Sequence, residues 1–251
     1  MFTNERQDEI LQILKEKRSA TVKKLADSLF VSTATIRRDL NEMQKLGLIE
    51  RSHGGAVILE EADEVSIFVR INENAKEKER AAFQALNAIP KDFKSVFLDS
   101  SSTVLALAQR LDLSRKTVMT NNLQTAVLLS RMDNVNLLIP GGNIYATGNS
   151  VVGSWTTSLL KDFSFDLMLS SCAAIKDKCA FETSIEQREI KRTVFERSDY
   201  KILVCDHSKL IKKGTYMYEP LSCFDKVVFD YLTDDDKSAL DGVPLYSPVK
   251  V

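Results

Sequence analysis

Val31-Ser32-Thr33-Ala34-Thr35-Ile36-Arg37-Arg38-Asp39-Leu40 is the stretch on which the reading of this chain turns. Ser32 is a good helix N-cap, and Ile36, Leu40 and Met43 recur at the spacing that places them on one helical face. At about 100° per residue, Ala34, Arg38, Asn41 and Lys45 point the other way, with Thr35 and Arg37 on the flanks. Gly47 follows as a terminator, which predicts a helix from Thr33 to about Leu46. A helix with small residues at its N-terminal end and arginines facing outward suits a DNA major groove, where Arg pairs bidentately with guanine or holds phosphate. A solvated charged face on an ordinary helix bundle has the same periodicity, so spacing alone does not separate the two.

The flanks narrow the choice. Upstream, Ile10, Ile13 and Leu14 predict a helix over 5–17, with Asn4 and Gln7 placed as a capping box. Thr21 then caps a short helix carrying Val22, Leu25, Ala26 and Leu29. Downstream, Leu48-Ile49 and Ala56-Val57-Ile58 read as two strands joined through Gly54-Gly55. Three short helices and a β-hairpin in under 60 residues outline a winged helix-turn-helix.

The wider chain sets limits. At 251 residues, with 44% apolar and 27% charged residues, it reads as a folded protein of one large domain or two unequal ones. No apolar run reaches the roughly 18 residues of a membrane span, and the first residues lack a secretory signal pattern, so a cytoplasmic protein is expected. Cys172, Cys179, Cys205 and Cys223 form no CxxC pair and read as small buried thiols. His53 and His207, the two histidines, give a zinc site almost no material, and no cofactor or metal is expected. Residues 1–58 hold ten basic and eight acidic side chains, a balance of +2 against −3 for the remainder. Composition therefore identifies no nucleic-acid binder; only the placement of charge argues for one.

Residues 59–73, acidic and then mixed in charge, read as a linker, followed by a helix of about 74–89 that ends before Pro90. Beyond it, candidate strands Ser95–Leu98, Thr117–Thr120, Asn136–Ile139, Asp166–Leu169, Lys201–Cys205 and Lys226–Phe229 alternate with helical patterns. That alternation predicts an α/β domain over 74–251 with a mostly parallel sheet, whose ligands bind at the carboxyl ends of strands. Those ends are small and polar: Asp99-Ser100-Ser101-Ser102-Thr103, Thr120-Asn121-Asn122 and Pro140-Gly141-Gly142-Asn143. Each suits a helix cap as well as an anion site, with Ser102 and Thr103 placed to cap and cradle a phosphate; three in succession favour a pocket. The run Val151–Leu160, with the single Trp155, reads as a helix packed on the sheet or at a subunit interface, the core being the favoured place.

The wording of the sequence adds a family. "V-S-T-A-T-I-R-R-D-L", followed by "H-G-G-A" from His53, resembles the DNA-binding signature of DeoR-type bacterial regulators. "F-L-D-S-S-S-T", "V-M-T-N-N-L", "P-G-G-N-I", "E-Q-R-E-I-K-R" and "D-H-S-K" are similar to the sensor domain of that family, whose fold is like ribose-5-phosphate isomerase. The resemblance implies a DNA site of Ser32, Thr33, Ala34, Thr35, Arg37, Arg38, Asn41, Arg51, His53 and Gly54, with His53 in the wing. It also implies an effector site of Asp99, Ser100, Ser102, Thr103, Thr120, Asn121, Gly141, Gly142, Glu186, Lys191 and Lys209 for a phosphorylated sugar or sugar alcohol. Operator DNA and a second copy of the chain, as dimer or tetramer, are the implied partners. Arg18 and Ser101 stand where the family commonly has glycine. The competing reading is a sugar-phosphate isomerase or deaminase with a DNA-binding appendage, for which Glu186, Asp177, Asp99 and Lys176 are the candidate groups.

Overall fold

The computed structural model describes residues 3–45, 48–52, 54–58 and 66–246. His53, Gly47 and the side chains of Asn4 and Lys45 lie outside the described set, so the roles expected of them are left there. The chain divides into two compact units, Met1–Val69 and Arg70–Val251.

The first unit contains α1 (Thr3–Lys17), β1 (Ser19–Thr21), α2 (Val22–Leu29), α3 (Thr33–Lys45), β2 (Ile49–Ser52) and β3 (Gly55–Ile58). The three helices bury Ile10, Leu14, Leu25, Ile36, Leu40 and Met43 completely, the face their spacing predicts. The Thr21 side chain accepts from the Lys24 N–H and caps α2 as expected. The wing has a strand more than the hairpin read from sequence: β1 pairs with β3, giving the order β1-β3-β2. This third strand fixes the glycine pair of the hairpin. Gly54 makes the turn at φ +87, and a Cβ on Gly55 would stand 2.2 Å from the Ala20 carbonyl oxygen. Arg18 leaves α1 at φ +63, the left-handed region in which glycine is at ease, which gives the physical reason for the glycine common at this place.

Residues 59–65 of the expected linker lie outside the described set, and the rest of it carries a helix, α4 (Ile67–Asn72), rather than open chain. Ile67 is buried, and Phe68 and Val69 pack on the core of the first unit. Charge patterning hid this short apolar triplet.

The second unit continues with α5 (Ala75–Leu86), β4 (Ser95–Leu98), α6 (Ser102–Ala108), β5 (Thr117–Thr120), α7 (Leu123–Leu129), β6 (Asn136–Leu138), β7 (Asn143–Tyr145), β8 (Ser150–Val152) and α8 (Ser154–Leu160). It closes with β9 (Phe165–Ser170), β10 (Ala174–Lys176), β11 (Cys179–Glu182), α9 (Ile185–Phe195), β12 (Ser198–Cys205), β13 (Tyr216–Pro220), β14 (Lys226–Phe229) and α10 (Asp234–Ala239). All six strands read from sequence join one parallel sheet in the order β14-β12-β9-β4-β5-β6. Alternate residues bury on opposite faces. Val96, Leu98, Leu167, Leu169, Ile202 and Val204 meet α5 and α6, while Phe97, Met168, Leu203 and Val227 meet Leu160 of α8 and Ile190 and Val194 of α9. Burial on both faces is why these strands read as continuous apolar runs rather than alternating ones. The hairpin β7-β8 and the antiparallel sheet β10-β11-β13 are additions that the sequence reading did not contain.

The strand order reverses between β4 and β9. From β4 the chain works outward to β6, returns to β9 beside β4, and works outward the other way to β14. In a doubly wound sheet this crevice, at the carboxyl ends of the two strands, is where ligands bind.

Two expectations fail here. Gly153 divides the run Val151–Leu160 into a buried strand and a helix, and Trp155 faces solvent at 80% exposure rather than the core. Cys172 and Cys205 are buried, but Cys179 is half-buried and Cys223 is exposed.

Candidate nucleic-acid interface and strand-end site

In the first unit, α3 is held from behind. Asp39, 1% exposed, faces inward and takes a bidentate pair from Arg6 of α1, Nε to Oδ2 at 2.6 Å and Nη2 to Oδ1 at 2.9 Å. Two parallel charge-assisted bonds fix rotation as well as distance, so α1 locks the orientation of the helix. At its start, the Ser32 hydroxyl accepts from the Thr35 N–H at 3.1 Å and sits 2.9 Å from Thr35 Oγ1. Ser32 and Thr35 are therefore engaged in capping each other's turn.

The opposite face is open. Thr33, Ala34, Arg37, Arg38 and Asn41 are exposed, and Ala34, Arg37, Arg38, Asn41 and Glu42 line a groove along the helix. Among the described residues, Arg37 and Arg38 have no side-chain hydrogen bond or ion pair, whereas the nearby Arg51 is occupied. From β2, Arg51 donates to Asn41 Oδ1 at 2.6 Å and to the Gly55 carbonyl at 3.2 Å, tying the wing to α3. Two guanidinium groups without a side-chain partner among the described residues, on a helix presented by a three-helix frame with a wing beside it, have the character that phosphates and base edges of duplex DNA call for.

The strand-end site of the second unit has the contrary character. Asp99, at the end of β4 and 1% exposed, accepts from the Ser101 N–H at 2.9 Å, the Ser170 hydroxyl at 2.8 Å and the Ser171 N–H at 2.9 Å. Lys191, on the buried face of α9, reaches Asp99 Oδ2 at 2.9 Å, Glu182 Oε1 at 2.5 Å and the Ser171 carbonyl at 2.7 Å. Burial opposes the charge on every member, yet the pairing prevails. The Asp99 carboxyl is held below its ordinary value by Lys191 and the Ser101 and Ser171 donors, and Lys191 is raised by Asp99 and Glu182. Lys191 thus meets two carboxyl groups at once.

Beside it runs a neutral network. The Ser100 hydroxyl donates to Gln187 Oε1 at 2.7 Å, and Gln187 Nε2 donates to the Ser150 hydroxyl at 2.6 Å. Asn121 Nδ2 donates to the Val151 carbonyl at 3.2 Å, and Asn122 Nδ2 to the Ser100 carbonyl at 2.9 Å. The Thr120 hydroxyl accepts from the Asn122 N–H at 3.1 Å. Three buried polar atoms in this region have no hydrogen-bond partner among the described residues: Asn121 Oδ1, Thr125 Oγ1 and Ser171 Oγ. Buried polar atoms are nearly always paired, so these three, after β5 and β9 and in the first turn of α7, stand out.

The residues named from sequence thus separate. Asp99, Ser100, Thr120, Asn121 and Lys191 gather around the crevice between β4, β5 and β9. The cap of α6 is Ser101, whose hydroxyl accepts from the Val104 N–H at 3.1 Å. Ser102 and Thr103 are not the cap; they are the first two helical residues, buried, with their N–H groups at the open end of the helix. Gly142, at φ +154, lies against α8: a Cβ there would stand 2.0 Å from Thr156 Oγ1, so packing alone demands glycine, while Gly141 has open space around it. Glu186 is exposed at the start of α9 and accepts from the Ser184 hydroxyl at 2.8 Å. Lys209 lies in the short 3-10 helix His207–Leu210 that follows β12, 3.8 Å from the buried Asp206. Burial and the charge of Lys209 lower the nearby Lys78 ammonium to about 8. Gln187 and Glu182 were missed. The signal for Gln187 was its place one turn before Lys191, at a buried position of an amphipathic helix where an apolar residue was due.

Comparison with known proteins agrees with both units. Residues 6–62 match the DeoR-like helix-turn-helix domain, and residues 73–231 match the DeoR C terminal sensor domain. The chain belongs to the DeoR family of DNA-binding transcriptional regulators. It is 33% identical to the HTH-type transcriptional regulator GolR of Listeria innocua over 84% of each chain. It is 28% identical to the glycerol-3-phosphate regulon repressor of Escherichia coli over 92% of each chain, and 28% identical to the HTH-type transcriptional repressor GlcR of Bacillus subtilis over 92% of this chain and 90% of that one. Among solved structures, ribose 5-phosphate isomerase A of Methanocaldococcus jannaschii aligns with 56% of this chain and 56% of its own at 13% identity, with a TM-score of 0.41. No helix among the described residues is long and apolar enough to cross a membrane.

Proposed function

We propose that this chain is a repressor that binds operator DNA as a homo-oligomer and leaves it when a phosphorylated sugar or sugar alcohol occupies the strand-end site. In this reading residues 1–58 bind DNA, 59–73 connect, and 74–251 sense the metabolite. The observation that carries the sensor half is the set of buried atoms without a partner among the described residues, Ser171 Oγ after β9 and Asn121 Oδ1 and Thr125 Oγ1 after β5, on the carboxyl-end side of the sheet. Their geometry suits the hydroxyl groups of a polyol. Asp99, held in its charged form, directs a phosphate away from itself, toward the N–H groups of Ser102 and Thr103 at the start of α6. The names of the repressor relatives support the sense of regulation.

Catalysis is the weaker reading because no candidate base is free. Asp99 is engaged by Lys191 and held in its charged form, and Asp177, Lys176 and Glu186 are exposed at the surface. The test is a panel of sugar phosphates and their unphosphorylated counterparts, read by melting temperature and by release of operator DNA. Phosphorylated members should raise the melting temperature, since ligand binding to the native state alone stabilises it, and weaken DNA binding. Thr103 is buried, so Thr103→Asp is read only with Thr103→Asn beside it and where the far-ultraviolet spectrum and operator affinity match the wild type. Asp should then lose the response and Asn keep part of it, because a carboxylate there repels the phosphate. A panel without effect on the wild type, or steady turnover of any member, overturns the reading.

A further inference from the structure

The family resemblance counts Asn41 and Arg51 alike among the DNA contacts, but the structure gives them unlike positions. Asn41 is exposed on α3 and lines the same groove as Arg37 and Arg38. Arg51 is half-buried on β2, opposite Ala56 of β3, and its guanidinium is already in use. Its Nε donates to the Gly55 carbonyl at 3.2 Å. Its Nη1 donates to Asn41 Oδ1 at 2.6 Å and lies 3.5 Å from the Arg37 carbonyl.

This contact settles which way the Asn41 amide faces. An asparagine amide fits its surroundings almost equally well in either orientation, and only its partners decide between oxygen and nitrogen. A guanidinium has donors and no acceptor, so the Asn41 atom beside Arg51 is the oxygen. Nδ2, a donor, is then the atom left for a base edge. An unrestrained asparagine reads adenine with both atoms, accepting from N6 and donating to N7. At Asn41 the oxygen is engaged, and the cation held on it opposes a second donor such as the adenine N6 amine. Guanine presents O6 and N7 on the same edge, acceptors both. Arg37 and Arg38 add further donors to this groove. Its acceptor, Glu42, takes a hydrogen bond at 3.2 Å from Gln7 of α1.

We propose that Arg51 sets the base preference of Asn41: by holding the amide oxygen, the wing turns an adenine reader into a donor that selects guanine. The inference rests on α3 as the DNA-reading helix. Within that reading Arg51 is a positioning residue, and Asn41 makes the base contact.

The test is selection of bound duplexes by the full-length protein from a library randomised over roughly 20 base pairs, about two helical turns. Asn41→Ala identifies the position that Asn41 reads, as the one whose preference disappears. There the wild type should favour guanine over adenine by about fivefold or more. Arg51→Met, with the wild-type far-ultraviolet spectrum, should move that one position toward adenine and leave the others as they were. Arg51→Lys still offers Asn41 Oδ1 a donor and should keep guanine. Asn41→Asp, an acceptor at both oxygens and at an exposed position, should make guanine disfavoured; it carries the test where Arg51→Met does not fold. Adenine favoured by the wild type, guanine still favoured by Asn41→Asp, or an unchanged preference in folded Arg51→Met would overturn the proposal. So would a weakening by Arg51→Met that is equal for every sequence, the mark of a phosphate contact. If Asn41→Ala alters no position while Arg37→Ala/Arg38→Ala does, α3 still reads DNA and this inference alone fails. If neither alters any position, the DNA reading of α3 fails with it.

Discussion

Arg37 and Arg38 on α3, and Asp99, Glu182 and Lys191 at the sheet's switch point, are charged groups in opposite circumstances. The arginines are exposed and have no side-chain partner among the described residues; the frame behind them, Arg6 with Asp39 and Arg51 with Asn41, holds the helix that carries them. The switch-point charges are buried and satisfy one another. The difference teaches which charges face outward to a partner and which hold the protein's own structure. DNA contact needs charge left available in water. On the proposed reading a metabolite site needs charge fixed in place, so that neutral groups such as Asn121 and Ser171 can be aimed.

That contrast is broken most severely at Lys191. Lys191→Met removes one cation and leaves two buried carboxylates unpaired, which should destabilise the second unit by about 3–5 kcal/mol in denaturant titration at neutral pH. The sign with pH follows from Asp99, whose folded carboxyl is depressed: its contribution is present above the unfolded value and disappears as pH falls through the folded one. Acidification should therefore narrow the gap between variant and wild type, by protonating the carboxylates that Lys191 neutralises. A variant as stable as the wild type at neutral pH would mean the cluster does not hold the sheet ends.

A smaller effect sharpens the same contrast at the neighbouring loop. Ser101→Ala deletes the α6 cap and should cost about 1 kcal/mol, while Ser101→Gly should cost only a few tenths. Equal losses in the two variants would show that the hydroxyl does something other than cap. The smallest effect belongs to the first unit. Phe30 ends α2 at φ +53 and is 95% exposed, so it carries left-handed strain with no burial to offset it. Phe30→Gly should stabilise this unit by about 0.5–1 kcal/mol, measured by hydrogen exchange on the buried amides of α2 and α3. A loss of stability would show that the ring makes a contact that matters.

The sequence was most informative where local rules act alone. Ser32, Thr21 and the Ile36/Leu40/Met43 spacing announce the helix-turn-helix because capping and periodicity are short-range. The six parallel strands were legible for a related reason, since burial on both faces leaves uninterrupted apolar runs. What stayed hidden depends on partners distant in the chain. Asp39 reads as one more surface acid until Arg6 of another helix meets it. Gln187 reads as an irregularity on α9 until Ser100 and Ser150 close around it. The strand β1 exists only because β3 lies alongside, and β11 pairs with β13 across an irregular register at Ala180 and Phe181 that blurs any alternation. The core was the favoured place for Trp155 because an apolar run looks the same whether it faces a core or a surface, and the ring is exposed.

The outward face of α3 carries the proposed DNA contact. The direct measurement is a titration of the folded Arg37→Ala/Arg38→Ala variant and the wild type against the DNA upstream of its own coding sequence, at two salt concentrations. Wild-type affinity should fall steeply with salt as counterions are released. The double variant should bind at least tenfold more weakly at low salt. Each lost base contact should remove about 1–3 kcal/mol, and each lost phosphate contact about one unit of salt slope. Unchanged affinity and unchanged slope in a variant with the wild-type fold would contradict the assignment of α3 as the DNA-reading helix.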